Sequence, residues 1–167
     1  STPDVDIVAD PADLPGEVDV AYRAVRADQV ESALPLLERV PARVVVTLVN
    51  LAGEARPVAD RLGRERTILG FSGVGGTRGP DGVTYHEVKQ QPTTIGRAGG
   101  REQAVVADLR GAGFTVDTVD DPVAWLATHA VFIAGIGAAI LRSGDSTTLG
   151  RDRAATSQMV LAVRGVR

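Results

Sequence analysis

Cysteine is absent from the 167-residue chain, and aromatic residues make up only 4% of it. The absence of cysteine excludes a disulfide framework, a thiolate metal site and a cysteine nucleophile, and it agrees with a cytoplasmic protein. The chain has only two histidines, His86 and His129. A histidine-rich metal site is therefore excluded as well, and we predict no metal.

Long runs of charge and long apolar runs are also missing. Lys and Arg total 18 against 21 for Asp and Glu, which gives a net charge of −3 and disfavours a nucleic-acid partner. The longest apolar stretch, residues 130–141, is too short to span a bilayer, and residues 1–4 do not open a charged-then-apolar leader. We therefore expect a cytoplasmic protein that binds neither nucleic acid nor membrane.

Short β-branched runs alternate with helical patterns, which is typical of strand–helix–strand units and a parallel sheet. The predicted strands cover residues 5–8, 18–25, 44–49, 67–71 and 114–119, and the predicted helices cover residues 27–40, 54–62 and 101–111. A helix of such a length can carry the chain back between parallel strands, whereas a two-residue connection cannot. The sequence therefore predicts an α/β fold with a Rossmann-like parallel sheet.

The pattern changes after residue 71. Residues 72–82 hold five glycines and are predicted to form a loop. Residues 83–88 alternate with a period of two, as a half-exposed antiparallel strand does. Residues 92–96 are predicted to return as the neighbour of that strand, which would make a terminal β-hairpin.

A long apolar helix is predicted to begin after Asp121, which suits an N-cap, with Pro122 at the first helical position. Its apolar residues spread around most of its surface, so we expect it to be buried between two domains. A polar break at residues 143–148 precedes a final helix over residues 151–163. We divide the chain into residues 1–120, half of a Rossmann-type domain, and residues 121–167, the start of an all-α domain.

Ligands of open α/β sheets bind beyond the carboxyl ends of the strands, so the residues that follow the strands are candidate ligands. Arg26, Asn50 and Gly73 follow the second, third and fourth predicted strands. A guanidinium, a carboxamide and a glycine backbone at one edge would suit a carboxylate or a phosphate. Each also has a plainer interpretation, namely a solvated arginine, a turn-forming asparagine and a flexible loop.

Several segments, taken in order, resemble the ketopantoate reductase (2-dehydropantoate 2-reductase) family. Residues 18–31 resemble a family strand that ends in Lys-Ala-aromatic-Gln, and residues 46–50 resemble one that ends in Asn-Gly. Further similarity follows in the family's order at residues 71–76, 82–86, 91–96 and 124–126. By these motifs the chain is identified as a member of that family.

The resemblance implies an NADP-binding Rossmann domain, a C-terminal helical domain, and reduction of a small 2-oxo acid such as 2-dehydropantoate. It matches this chain to the central portion of the family only, without the glycine-rich turn that receives the cofactor pyrophosphate. By the resemblance, Arg26 would bind the substrate carboxylate or a cofactor phosphate, and Asn50 would position the nicotinamide ribose or the substrate. Gly73 would approach the cofactor, and the resemblance allows a homodimer.

The main departure from the family is Ala127, which stands where the family has its catalytic Lys, and Val131 replaces a later Asn. Alanine cannot donate a proton to the ketone as hydride arrives. Thr128 and His129 are therefore candidate proton donors, although a lone helical histidine is more often a packing residue. Three hypotheses follow: a reductase with a replaced acid, a catalytically degenerate member that acts as a ligand-binding or regulatory module, or a structural fragment with no activity of its own.

Overall fold

The computed structural model describes residues 6–164, which form a five-stranded sheet, a two-stranded hairpin and several helices. In chain order the elements are β1 (Val18–Arg23), α1 (Val30–Arg39), β2 (Ala42–Leu48), α2 (Ala55–Leu62), β3 (Thr67–Phe71), β4 (Val74–Gly79), β5 (Gly82–Glu87), β6 (Thr93–Gly96), α3 (Glu102–Gly111), β7 (Val116–Val119), α4 (Pro122–Ser143), α5 (Ser146–Arg151) and α6 (Arg153–Arg164). The predicted class, a Rossmann-like sheet with a hairpin and a long helix, is confirmed.

The main sheet has the strand order β1-β2-β3-β6-β7. Strands β1, β2 and β3 are parallel, β6 runs antiparallel to β3, and β7 runs parallel to β6. The two parallel connections pass through α1 and α2, as the alternation of strand and helix in the sequence predicts. The carboxyl ends of β1, β2 and β3 therefore lie side by side at one edge of the sheet.

Helices cover both faces of this sheet. Helix α1 buries Val30, Leu34 and Leu37, whose spacing of four and three residues places them on one helical face. Helix α2 and part of α4 pack on the same face of the sheet, whereas α3 covers the opposite face through Val105 and Val106. Two apolar cores thus hold the strands from either side and fix the edge where they end.

The start of the chain differs from its prediction. Val5 of the predicted strand 5–8 lies outside the described residues, and residues 6–8 form no strand. The Ile7 side chain is 94% exposed, and no strand within residues 6–164 pairs with this segment. The prediction is therefore wrong over residues 6–8, where β-branched residues alone do not make a strand without a pairing partner.

The hairpin is also paired differently from its prediction. Strand β5 pairs with β4, in register from Val74↔Glu87 to Gly79↔Gly82, so residues 72–82 are not only a loop. Strand β6 lies in the main sheet between β3 and β7, and all four of its residues are buried. The glycines of β4 weaken its strand signal, since they have no side chain with which to show alternation.

Helix α4 begins and ends as the sequence indicates. The Asp121 carboxylate accepts a hydrogen bond from the Ala124 N–H at 2.9 Å, and Gly144 ends the helix with φ +88°. Helix α4 contacts β3, the 3₁₀ turn at Ala52–Glu54, α5 and α6. It therefore connects the sheet with the two helices that follow, and the division of the chain at residue 120 stays a prediction.

The end of the described chain holds two helices instead of the single predicted helix over residues 151–163. They are separated by Asp152, whose carboxylate accepts hydrogen bonds from the N–H groups of Ala154 and Ala155 at 2.9 and 3.0 Å. Asp152 thus acts as an N-cap and starts α6 afresh.

By length and composition alone, α4 could cross a membrane. Its 22 residues contain an 18-residue window of mean hydropathy 1.9, of which 17% is buried. The sequence-based estimate counted only residues 130–141, whereas the apolar helix begins eight residues earlier. A single such helix is weak evidence of a membrane segment. The expectation that α4 is buried between two domains is not met within the described residues, where only Leu126, His129 and Ala139 of this helix are buried.

Candidate functional site

Three polar side chains come together where β1 and β2 end. Arg23 is the last residue of β1 and is paired in register with Thr47, and Asn50 follows β2 by two residues. Arg23 and Thr47 are 2% and 0% exposed. All three guanidinium nitrogens of Arg23, the Thr47 hydroxyl and the Asn50 carbonyl oxygen are buried, and none has a hydrogen-bond partner within residues 6–164.

A buried arginine without a hydrogen-bond partner lowers the stability of the fold. A buried charge without a partner costs several kcal/mol, at the order of magnitude typical of proteins. Burial lowers the pKa of Arg23, and the carboxylate of Glu31 opposes this effect only in part. A guanidinium also remains charged in proteins under ordinary conditions. The arrangement therefore suits an anion that would pair with Arg23 and accept its hydrogen bonds.

The predicted ligand Arg26 lies elsewhere. Its side chain is 80% exposed, and its Nε donates to Asp28 at 3.0 Å. Its backbone N–H donates to Gln29 Oε1 at 3.1 Å, so Arg26 starts the short 3₁₀ turn before α1. An exposed ion pair of this kind contributes little free energy. The structure thus places Arg23, and not Arg26, beside Thr47.

Sequence reasoning missed Arg23 because it extended the strand to residue 25. A signal was present, however, in the family's Lys-Ala-aromatic-Gln motif. Setting its first position on Arg23 places Ala24 on the motif's Ala and Val25 on its aromatic position. This register gives the basic position of the motif to Arg23.

Asn50 is held by a strained turn. The following Ala52 has φ +45°, and it is the one residue other than glycine with positive φ in the described part of the chain. Such a conformation costs alanine about 1 kcal/mol or more. The turn closes with a hydrogen bond from Glu54 N–H to Leu51 C=O at 2.7 Å, and it packs against α4. The turn that follows Asn50 is therefore strained at Ala52.

His129 lies in an aromatic cluster beside the end of β3. Its ring stacks on Trp125 with centroids 4.9 Å apart and an interplanar angle of 6°, and the Phe71 centroid is 4.3 Å away. The side chain is 7% exposed, and its buried Nε2 has no hydrogen-bond partner among the described residues. Burial lowers the pKa of His129 below its ordinary value, so the imidazole is neutral near pH 7.

A mostly apolar pocket of about 360 Å³ opens next to this cluster. It is lined by residues from the end of β3, the hairpin and α4, including Phe71, Gly73, His129, Phe132 and Ile133. A pocket of this size and character is typical of small-ligand sites. The structure therefore brings Gly73 and His129 to one cavity.

Gly73 has a structural reason to be glycine. A Cβ atom there would come within 2.5 Å of the backbone of Pro92 and Thr93. Its N–H donates to Thr93 Oγ1 at 3.1 Å, and its C=O accepts from Val88 N–H at 2.8 Å. Both backbone groups are thus already paired. The role of Gly73 as a cofactor contact stays a prediction, and its N–H is not free to serve it.

Thr128 and Ala127 are both exposed on α4. The Thr128 hydroxyl donates to Ala124 C=O at 2.9 Å, within the same helix. It can accept a further hydrogen bond, but it must break this one in order to donate a proton elsewhere. Among the described residues, no three or more His, Asp or Glu side chains lie close enough together to hold a metal ion.

The main sheet is open and mostly parallel, and helices connect its parallel strands. These features define a Rossmann-like α/β fold. A family model for ketopantoate reductase PanE/ApbA matches residues 4–100, which is more than half of the chain. The chain belongs to the ketopantoate reductase PanE/ApbA family.

Solved structures show the same fold at low sequence identity. A ketopantoate reductase from Staphylococcus aureus has a TM-score of 0.71 at 12% identity, over 92% of this chain and 56% of its own. A 2-dehydropantoate 2-reductase from Geobacter metallireducens has a TM-score of 0.58 at 17% identity, over 90% and 62%. A D-mandelate dehydrogenase, solved with NADH and anilino(oxo)acetate, has a TM-score of 0.55 at 16% identity, over 75% and 42%.

The chain thus spans roughly half of each of these proteins, from 42% to 62% of their length. At such identities the likeness concerns the fold alone. No curated protein matches the chain.

Proposed function

We propose that the chain forms part of an NADPH-dependent reductase that converts a small 2-oxo acid, such as 2-dehydropantoate, to the 2-hydroxy acid. Family membership supports this class of reaction. The observation that carries the proposal for this chain is Arg23, a buried guanidinium without a partner at the edge where such ligands bind. A phosphate or carboxylate group would supply the charge that the fold leaves unbalanced.

The residues at this edge have complementary roles in the proposal. Arg23 and Thr47 would hold an anionic group of the cofactor or substrate, and Asn50 would accept or donate a hydrogen bond through its carboxamide. The apolar pocket beside Phe71 would exclude water from a flat ring or a short carbon chain. A bound reduced nicotinamide would supply the hydride.

His129 is the residue that we favour in place of the family's lysine, as a hydrogen-bond donor to the ketone oxygen, with the proton of the new hydroxyl supplied by solvent. Its imidazole is neutral near pH 7, because burial lowers its pKa. A neutral imidazole with its proton on Nε2 can donate a hydrogen bond to a ketone oxygen and polarise it. The stack against Trp125 and Phe71 fixes the ring plane. Thr128 is the second candidate. It ranks below His129 because its hydroxyl already donates a hydrogen bond to Ala124 C=O within α4.

The test compares two arginines that differ in burial. Calorimetric titration of the full chain with NADPH and with NADH would be repeated for Arg23→Gln and Arg26→Gln. Both changes remove one positive charge, but only the first removes a buried donor. We expect Arg23→Gln to weaken NADPH binding about tenfold or more, and Arg26→Gln to change it less than about twofold.

Addition of 2-dehydropantoate, with the absorbance of the reduced nicotinamide followed, then tests turnover. Equal effects of the two substitutions would remove the assignment of Arg23. An absence of binding by either nucleotide would remove the proposal that the residues of this chain hold the dinucleotide without the rest of the family's Rossmann domain.

The alternative function is a catalytically degenerate member that binds a ligand without reducing it. Ala127 and Val131, which replace the family's Lys and Asn, support this alternative. Ala127 is exposed, so a longer side chain has room there. The substitution Ala127→Lys should raise the rate of nicotinamide oxidation in a weakened reductase and leave a pure binding module unchanged. Ala134→Lys, also on the exposed side of α4, is the matched control.

The proposal also includes a homodimer and a cytoplasmic location. The dimeric ketopantoate reductase among the similar structures supports the first. The absence of cysteine supports the second. Sedimentation of the purified chain at several concentrations would test the oligomer directly.

A further inference from the structure

A second pocket lies at the opposite edge of the sheet, where β3 begins. It has a volume of about 410 Å³, and its lining includes Arg56, Arg64, Arg97 and Arg101. These four arginines come from α2, the turn after α2, the turn after β6 and the residue before α3. The fold, and not a charged run in the sequence, gathers them into what we name the arginine pocket.

The floor of the arginine pocket is apolar. Ile68 and Leu69 of β3 lie beneath it, at 1% and 8% exposure, and Pro122 and Val123 of α4 close one side. Gly96 allows this closure, because a Cβ atom there would lie 2.6 Å from the Pro122 side chain. A cationic rim over an apolar floor suits a ligand with an apolar body and at least two negative charges.

The guanidinium groups retain free hydrogen-bond donors. Arg64 is paired with Asp60, and Arg97 Nε is 3.0 Å from Asp120 Oδ1. Arg101 Nε donates to Ala98 C=O at 2.9 Å. Within residues 6–164, each of these three arginines keeps at least one terminal nitrogen without a partner.

Arg56 forms no ion pair or side-chain hydrogen bond with the described residues, although it helps Arg64 to lower the pKa of Asp60. The carboxylate of Glu102, which is nearby, is already occupied by the N–H groups of Ala98 and Gly100 at 2.8 and 2.9 Å. None of the residues that line the arginine pocket is acidic. The free donors therefore face a cavity without a carboxylate in its lining.

We propose that the arginine pocket binds a small organic phosphate with an apolar body. This site is distinct from the carboxyl edge, where Arg23 lies, since the two are at opposite ends of β3 and its parallel neighbours. The rim arginines are exposed, so their attraction for an anion is screened by salt. Binding should therefore weaken steeply as ionic strength rises.

The test uses phenyl phosphate as the probe and the Arg23→Gln variant as the background, so that the carboxyl edge cannot contribute. In ¹H–¹⁵N spectra of the labelled chain, we expect phenyl phosphate to shift the amide signals of Thr67, Ala98 and Val123. Phenol and inorganic phosphate, which each carry half of the recognised chemistry, should bind about tenfold more weakly. Shifts confined to other parts of the chain would overturn the proposal.

A pair of matched substitutions tests the charge itself. Arg56→Gln/Arg101→Gln should weaken phenyl phosphate binding about tenfold or more, whereas Arg78→Gln/Arg142→Gln removes the same charge from exposed sites elsewhere and should change it less than about twofold. Arg56→Glu is the second variant, because Arg56 supports no side-chain hydrogen bond that the fold would lose. Equal weakening in the control pair would show attraction by net charge alone and would overturn the proposal.

Discussion

The two edges of the main sheet differ in whether their polar side chains have hydrogen-bond partners. At the carboxyl edge, buried side-chain nitrogen or oxygen atoms have no hydrogen-bond partner in the described part of the chain; they belong to Arg23, Thr47, Asn50 and His129. At the amino edge of β3, the Thr67 hydroxyl donates to Gly63 C=O at 2.8 Å. There Arg66 Nε also donates to Leu62 C=O at 2.6 Å.

The difference shows which edge the fold has left incomplete. Buried polar groups are nearly always paired in folded proteins, so a group of unpaired ones at one edge needs an explanation. The strained Ala52 lies at the same edge. Unpaired buried groups and backbone strain together indicate a site that the fold leaves incomplete. At the amino edge, Thr67 and Arg66 are paired with backbone carbonyls, and the free donors belong to exposed arginines.

The largest expected effect comes from removing the unpaired charge. Arg23→Met should raise the free energy of unfolding by about 1 to 4 kcal/mol, because it replaces an uncompensated buried charge with an apolar side chain of similar length. In urea unfolding, the midpoint should move to higher denaturant. Arg66→Met, which removes hydrogen-bonded contacts at the amino edge, should move it to lower denaturant. A destabilised Arg23→Met would show that Arg23 has a partner in the folded protein.

Relieving the strain at Ala52 should also raise the free energy of unfolding, by a smaller amount. Ala52→Gly should stabilise the protein by about 0.5 to 1 kcal/mol, because glycine adopts positive φ without steric cost. Ala104→Gly, on the exposed face of α3, is the matched control and should destabilise by about 1 kcal/mol. Thermal unfolding of the two variants measures both signs, and a loss of stability in Ala52→Gly would contradict the strain.

The smallest effect concerns pH. Burial lowers the pKa of His129 from its ordinary value of 6.5, so protonation favours the unfolded chain. Its contribution to stability is present above pH 6.5 and is lost as pH falls toward the lower pKa of the folded state. His129→Gln should therefore make the free energy of unfolding less dependent on pH below neutrality.

The exposed His86 on β5 gives the control for this measurement. His86→Gln removes the other histidine of the chain and is the reference for His129→Gln. If His129→Gln has the same slope as His86→Gln, then the imidazole of His129 is not held neutral by the fold.

Much of the fold follows from local patterns in the sequence. The strand at residues 67–71 and the capped start of α4 match their predictions, because a buried parallel strand and an N-cap leave direct signals. The pairing of β6 with β3 and β7 left no such signal. It depends on Gly73, which lets the chain cross its own backbone closely, and sequence patterns do not record such an approach.

The candidate site could be predicted only in part. The sequence gathers basic and amide residues at the carboxyl edge, and Asn50 lies there. The sequence could not show which of Arg23 and Arg26 is buried. The two lie only three positions apart, yet Arg23 is buried and the side chain of Arg26 is 80% exposed. The length of a strand fixes that difference, and strand ends are set by pairing with β2, which is not local.

Because His129 stacks on Trp125, the fluorescence of Trp125 can report the protonation of His129. The chain has a single tryptophan, so all indole emission comes from a ring that lies 4.9 Å from one imidazole. A protonated imidazole accepts an electron from an excited indole far more readily than a neutral one does. The intrinsic fluorescence should therefore dim whenever His129 takes up a proton, and it should report each such event at the candidate site without any added label.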